Sequence, residues 1–140
     1  MPASEKKFKR SLDSLAKVFE LVNQFAERER IDDDTRHAIS LAVDELFTNM
    51  VKHQPSNPNS ISIKLRTEGE NVIVEMIDRD VEPFDLTKKP DPDLGASLDD
   101  RKPGGLGIFL TKKNMDEIQY RHDAGTSIIT LKKKFRRKHV

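Results

Sequence analysis

The chain has 140 residues, with 25 Lys and Arg against 24 Asp and Glu and a formal net charge of +1. A balance this even excludes a polyanion binder driven by bulk charge, and the absence of cysteine excludes a disulfide framework, a thiolate zinc site and a cysteine nucleophile. Leu, Ile, Val and Phe supply 37 of the 140 residues, enough for a core, so one domain over 1–140 is expected, with its core at about 8–134. With no apolar leader and no long apolar stretch, the expected setting is cytoplasmic.

Residues 12–29 carry apolar side chains at Leu12, Leu15, Ala16, Phe19, Val22 and Phe25 or Ala26, the spacing of a helix with one buried stripe, and Ser11 is placed to cap it. A second helix is expected over 32–53. It opens on Asp32, Asp33 and Asp34, which suit the positive end of a helix, and runs without Gly or Pro to His53. Prolines and asparagines in 54–59 end it. Ile61, Ile63 and Leu65 alternate with polar residues as in an edge-like strand, Val72 to Ile77 reads as a more central one, and Glu68-Gly69-Glu70-Asn71 turns the chain between them. A fifth strand near Phe8 is compatible with this pattern.

From Asp85 to Pro103 periodicity disappears, leaving a connection longer than the roughly 12–15 residues beyond which loops tend to be functional or disordered. Gly104-Gly105-Leu106-Gly107 then opens a short helix to Met115, and Ile118 to His122 and Ser127 to Leu131 form a closing hairpin around Asp123-Ala124-Gly125. The basic segment 132–140 reads as a solvated tail.

Four features carry chemistry. At 100° per residue, Glu45, Asn49 and Lys52 form a polar strip beside the apolar face of Ile39, Val43, Leu46 and Met50. A carboxylate one turn from an amide suits magnesium-assisted phosphoryl transfer, although such pairs also occur on ordinary solvated helices. The glycines of 104–107, at a loop-to-helix junction, suit either an oxygen-rich anion at a helix N-terminus or a plain hinge; no Walker A sequence follows them. Asp78 shares the parity of Val72, Val74 and Met76, which aims its carboxylate at the interior, where it needs a donor such as an adenine amino group, unless it merely starts a turn. Asp80, Glu82 and Asp85 crowd the same loop without the spacing of a calcium loop. Thr126, before the last strand, can reach a base or serve the turn. His37 and His53 read as helix-surface residues, and the histidines show no paired metal-ligand spacing.

The order of these pieces resembles the GHKL, or Bergerat-fold, ATP-binding superfamily over roughly residues 8–134. Asp44 to His53 looks like the N-box, and Gly104-Gly105-Leu106-Gly107-Ile108-Phe109-Leu110 looks like the glycine box of the bacterial anti-sigma serine kinases. The resemblance implies an α+β two-layer sandwich with helices on one face of an antiparallel or mixed sheet, and ATP with Mg2+ held between the layers. It matches Glu45 to the general base, Asn49 to the magnesium ligand, with Lys52 beside it, Gly104, Gly105, Leu106, Gly107 and Ile108 to the phosphate-binding box, and Thr126 to a place near the adenine. The adenine box departs from the pattern Asp-x-Gly, then Pro-Phe-Asp, because Asp78-Arg79-Asp80-Val81-Glu82-Pro83-Phe84-Asp85 lacks the glycine. Aligning on Asp78 is preferred because only a carboxylate accepts from the adenine amino group, and it puts Asp80 at the glycine.

The activity implied is an ATP-dependent serine/threonine protein kinase that is also an anti-sigma, partner-switching regulator. Its expected partners are a STAS-type antagonist as substrate and a sigma factor as sequestered protein, with no nucleic acid or membrane, and a homodimer left open. The rival is a non-catalytic binding module of the same fold with weak or no nucleotide affinity.

Overall fold

The computed structural model describes residues 4–85, 88 and 105–139. Strand β1 (Ser4–Phe8) leads into a tight 3-10 turn, Leu12–Ser14, where the Ser11 hydroxyl accepts the Asp13 N–H at 3.2 Å. Helices α1 (Leu15–Arg28) and α2 (Asp33–His53) follow, then β2 (Ile61–Glu68), β3 (Asn71–Arg79), α3 (Gly105–Asn114), β4 (Glu117–Asp123) and β5 (Thr126–Lys134). The strands form one sheet in the order β1-β2-β3-β5-β4, every neighbouring pair antiparallel. Alternation along the strands sends Ile61, Ile63, Leu65, Val72, Val74, Met76, Ile129 and Leu131 into a core shared with Val22, Phe25, Val43, Leu46, Phe47 and Met50 of the helices. This is an α+β sandwich with a fully antiparallel sheet. Among the described residues no helix is long and apolar enough to cross a membrane.

Two expectations about β2 and α1 change. β2 is an inner strand, because β1 pairs with its outer side from Ser4 opposite Leu65 to Phe8 opposite Ile61. In α1 the buried stripe is Val18, Val22, Phe25 and Ala26, while Leu12 and Phe19 are 46 % and 47 % exposed. At 100° per residue Val18, Val22 and Phe25 lie within about 60° of one another, and Phe19 falls one step farther round, at the margin of that stripe. Most of the connection from Asp85 to Pro103 lies outside the described residues.

The basic C-terminal segment is no free tail. Asp32 caps α2 by accepting from the Thr35 N–H at 3.1 Å and its hydroxyl at 2.9 Å, and its other carboxylate oxygen accepts the Arg136 N–H at 2.8 Å. The Asp32 N–H returns a bond to the Arg136 carbonyl at 3.0 Å, Ile31 bridges Arg137, and the Lys138 N–H donates to the Arg30 carbonyl at 2.7 Å. Burial pushes the Asp32 carboxyl up, but the bonds from Arg136 and Thr35 outweigh it and hold the group below its usual range.

Replacing this cap, Asp32→Ala, is expected to cost about 1 kcal/mol. A carboxyl held below its unfolded value contributes fully above the ordinary Asp value of 3.8, and the contribution is lost as pH falls through the lower folded value. The gap between wild type and Asp32→Ala in urea unfolding therefore narrows on acidification below that value; a constant gap would show that the carboxylate bonds stabilise nothing.

Candidate functional site

The inward face of the last turns of α2 is bound by packing: Ile39, Val43, Leu46 and Met50 are all buried, so the flank carrying Glu45 and Asn49 is held at the rim of the helix layer. The Asn49 side-chain amide donates to the Glu45 carbonyl at 2.7 Å and to its carboxylate at 2.9 Å. The i to i+4 pair is thereby one rigid unit. Burial raises the neighbouring Asp44 carboxyl above its usual range.

α3 packs on α2, with its Ile108 and Thr111 buried and Met115, the residue just after it, buried as well. That rotation turns Gly107 toward Glu45, and a β-carbon on residue 107 would overlap the Glu45 carboxyl group. The polar strip and the glycine box thus meet directly. Thr111 returns its hydroxyl to the Gly107 carbonyl at 2.9 Å. Gly104 lies outside the described residues, as does the side chain of Leu106; Gly105 opens α3, and the Ile108 side chain belongs to the core rather than to the cleft.

Asp78 ends β3 buried, 6 % exposed, on the helix-facing side. Its donor within the protein is one the sequence reading did not find: Arg10, whose Nη2 pairs with Oδ1 and whose Nη1 lies 3.4 Å from Oδ2. Asp78 and Asn49 border a small cavity of about 20 Å³, room for a single water, with Met50, Val81 and Ile129 as walls. Its roof is Phe84, stacked on His53 with ring centroids 3.8 Å apart and planes 18° apart. The Tyr120 hydroxyl accepts the Phe84 N–H at 2.9 Å and lies 3.2 Å from the Ser127 hydroxyl.

Three expected residues fall elsewhere. Asp80 is exposed at a φ of +57°, with its carboxylate accepting from the Asn59 side-chain amide at 2.7 Å, outside the Asp78 cavity. It holds the left-handed conformation a glycine would supply, which Asp tolerates better than most residues. Lys52 is exposed, and the neighbouring position His53 lines the cavity instead, since one residue of helix rotates the side chain by about 100°. Thr126 lies on the alternate side of β5; the buried hydroxyl at the cavity is Ser127. Phe84 and His53 carry no periodic signal, and Arg10 sits 68 residues from its partner, so only folding brings them in.

Among the described residues no cluster of three or more His, Asp or Glu is placed to hold a metal. A hard cation here would take Asn49 and oxygens brought by a ligand, the usual arrangement for magnesium on a phosphate chain. The side-chain-free backbone at Gly107 beside the amide and carboxylate of α2, together with the buried acceptor at Asp78, supplies the donor and acceptor types that such a ligand would use.

Gly107→Ala tests the contact between the helices. Because the displaced atoms are the end of a flexible side chain and Ala favours helix over Gly, the melting temperature is expected to stay near that of the wild type. The Asn49 side-chain amide resonances should shift as its bond to Glu45 breaks, and unchanged resonances would mean the two residues do not crowd each other.

A family profile described as a histidine kinase-like ATPase domain matches residues 8–133. The serine/threonine-protein kinase BtrW of Bordetella bronchiseptica is 31 % identical over 112 residues, covering 79 % of this chain and 78 % of that one. The serine-protein kinase RsbW of Listeria monocytogenes is 30 % identical over 100 residues, covering 67 % of this chain and 63 % of that one. A solved Mycobacterium tuberculosis structure containing RsbU and RsbW domains overlays 96 % of this chain, and 32 % of its own, with a TM-score of 0.70 at 17 % identity, a likeness of fold. This chain, with its N-box helix abutting a glycine-box helix over an antiparallel sheet, belongs to the histidine kinase-like ATPase domain family.

Proposed function

We propose that the protein is an ATP-dependent serine/threonine protein kinase that acts on a partner protein and works as a partner-switching, anti-sigma regulator. The observation that carries this reading is the meeting of Glu45, Asn49 and Gly107 at one rim of the fold, with Asp78 beneath the same helix end. The names of the BtrW and RsbW relatives, both protein kinases, support the reaction class.

In this reading Asp78 accepts a hydrogen bond from the adenine amino group, and Ser127 rather than Thr126 offers the hydroxyl beside the base. The start of α3 presents backbone N–H groups to the phosphate chain, and glycine at 107 keeps side-chain bulk out of the approach. Asn49 would hold Mg2+, which supplies charge neutralisation at the transferred phosphoryl group. Glu45 takes the proton from a serine or threonine hydroxyl of the partner, and its bond from Asn49 holds the carboxylate at a defined angle for that transfer. A STAS-type antagonist is the proposed substrate and a sigma factor the proposed sequestered partner.

A second reading, a binding module with weak or no nucleotide affinity, is favoured by one observation: the Asp78 cavity of about 20 Å³ is far smaller than a purine while Phe84 covers it. Calorimetry with Mg-ATP separates the two, since the kinase reading requires saturable binding that Asn49→Ala weakens and that depends on magnesium.

With radiolabelled Mg-ATP and STAS-domain proteins, Glu45→Gln is expected to lower phosphotransfer by about 100-fold or more while leaving ATP binding intact, the size of a lost general base. Unchanged phosphotransfer would remove Glu45 from that role, and no saturable nucleotide binding by the wild type would leave the binding-module reading.

A further inference from the structure

Arg10 has no place in the chemistry above, yet among the described residues it is a deeply buried cation bonded to a proposed site residue. Its side chain is 2 % exposed and that of Asp78 9 %. The guanidinium spans both oxygens of the Asp78 carboxylate, donates through Nη1 to the Met50 carbonyl at 3.0 Å, and donates through Nε to the Asn59 carbonyl at 3.3 Å. One planar group thereby ties three points together: the end of β3, the last turn of α2 one residue beyond Asn49, and the loop leading into β2.

We propose that Arg10 is a positioning residue for purine selection, fixing the plane and the acceptor character of the Asp78 carboxylate so that the site takes adenine over guanine. This rests on the ATP reading of the site. A carboxylate has about four lone-pair directions, and a guanidinium fork occupies one on each oxygen, leaving the others for a ligand donor. A paired carboxylate is an acceptor only, so it bonds the adenine 6-amino group and repels the guanine 6-oxygen. Without the fork on both oxygens the carboxylate is free to rotate, its remaining lone pairs no longer point in one fixed direction, and the bond to the adenine amino group weakens while guanine, which makes no such bond, is little affected. Lysine keeps the charge but not the fork, and cannot reach the Met50 and Asn59 carbonyls at the same time.

The test is calorimetry of the full chain with Mg-ATP and with Mg-GTP, with thermal melting alongside. The wild type is expected to prefer ATP. Arg10→Lys is expected to weaken ATP binding about tenfold or more, the size of a charge-assisted hydrogen bond, and to leave GTP binding within about threefold, so that the preference collapses. If Arg10 only supports the fold, the melting temperature falls and both nucleotides weaken alike, which overturns the proposal. Should Arg10→Lys fail to fold, the neutral pair Arg10→Met with Asp78→Asn buries no charge, and its ATP-to-GTP ratio is expected to equal that of Asp78→Asn alone. A further change in the ratio would mean that Arg10 acts other than through Asp78 and would also overturn it. A wild type that binds neither nucleotide defeats the ATP reading itself, whereas an ATP preference that survives Arg10→Lys defeats only the role of Arg10.

Discussion

The carboxyl group of Glu45 occupies the space that the β-carbon of any residue other than glycine at 107 would need. That close approach brings the start of α3 against the Glu45 flank of α2, and both helices are held in rotation by what they bury: Leu46 and Met50 on one, Ile108 and Thr111 on the other, with Met115 buried just beyond α3. Interiors packed this tightly do not let a helix turn on its axis without opening voids. The apolar faces therefore dictate where the polar strip points, and the strip and the glycine box come to share one cleft as a by-product of core packing.

The opposite wall is organised by the way β3 ends. Asp78 is the last inward residue of the strand, and two residues later Asp80 turns the backbone through the left-handed region. The chain then folds back on the β4–β5 hairpin: the Val81 N–H donates to the Gly125 carbonyl at 3.0 Å, His122 Nε2 lies 2.7 Å from the Val81 carbonyl, and Tyr120 holds Phe84. Asp80 thus holds the left-handed backbone conformation that glycine adopts most readily and that Asp tolerates better than most residues. The same bonds bring Phe84 over Asp78, which is why the cavity is small.

Arg10 joins these two walls. It comes from the segment between β1 and α1, remote in sequence from both, and its position depends on β1 pairing with β2 so that residue 10 emerges beside the end of β3. Removing either partner of such a buried pair leaves a charge without compensation, so the edge strand and the cleft stand or fall together.

The helices, the hairpins and the inward parity of Asp78 were legible in the sequence because each follows from a local period or a turn residue: the apolar spacing of α2, the alternation in β2 and β3, Gly69 and Gly125 at positive φ. The N-box and glycine box were legible through their order along the chain. What the sequence could not show depends on contacts between distant segments. β2 became an inner strand only when β1 paired with it, the basic C-terminal segment became structure only by bonding Asp32, and the choice of His53 over Lys52 and Ser127 over Thr126 turned on a single step of helix or strand phase. Periodicity along one segment determines which of its faces is apolar; which other segment covers that face, and which cation meets a buried carboxylate, is decided by the packing of the whole fold.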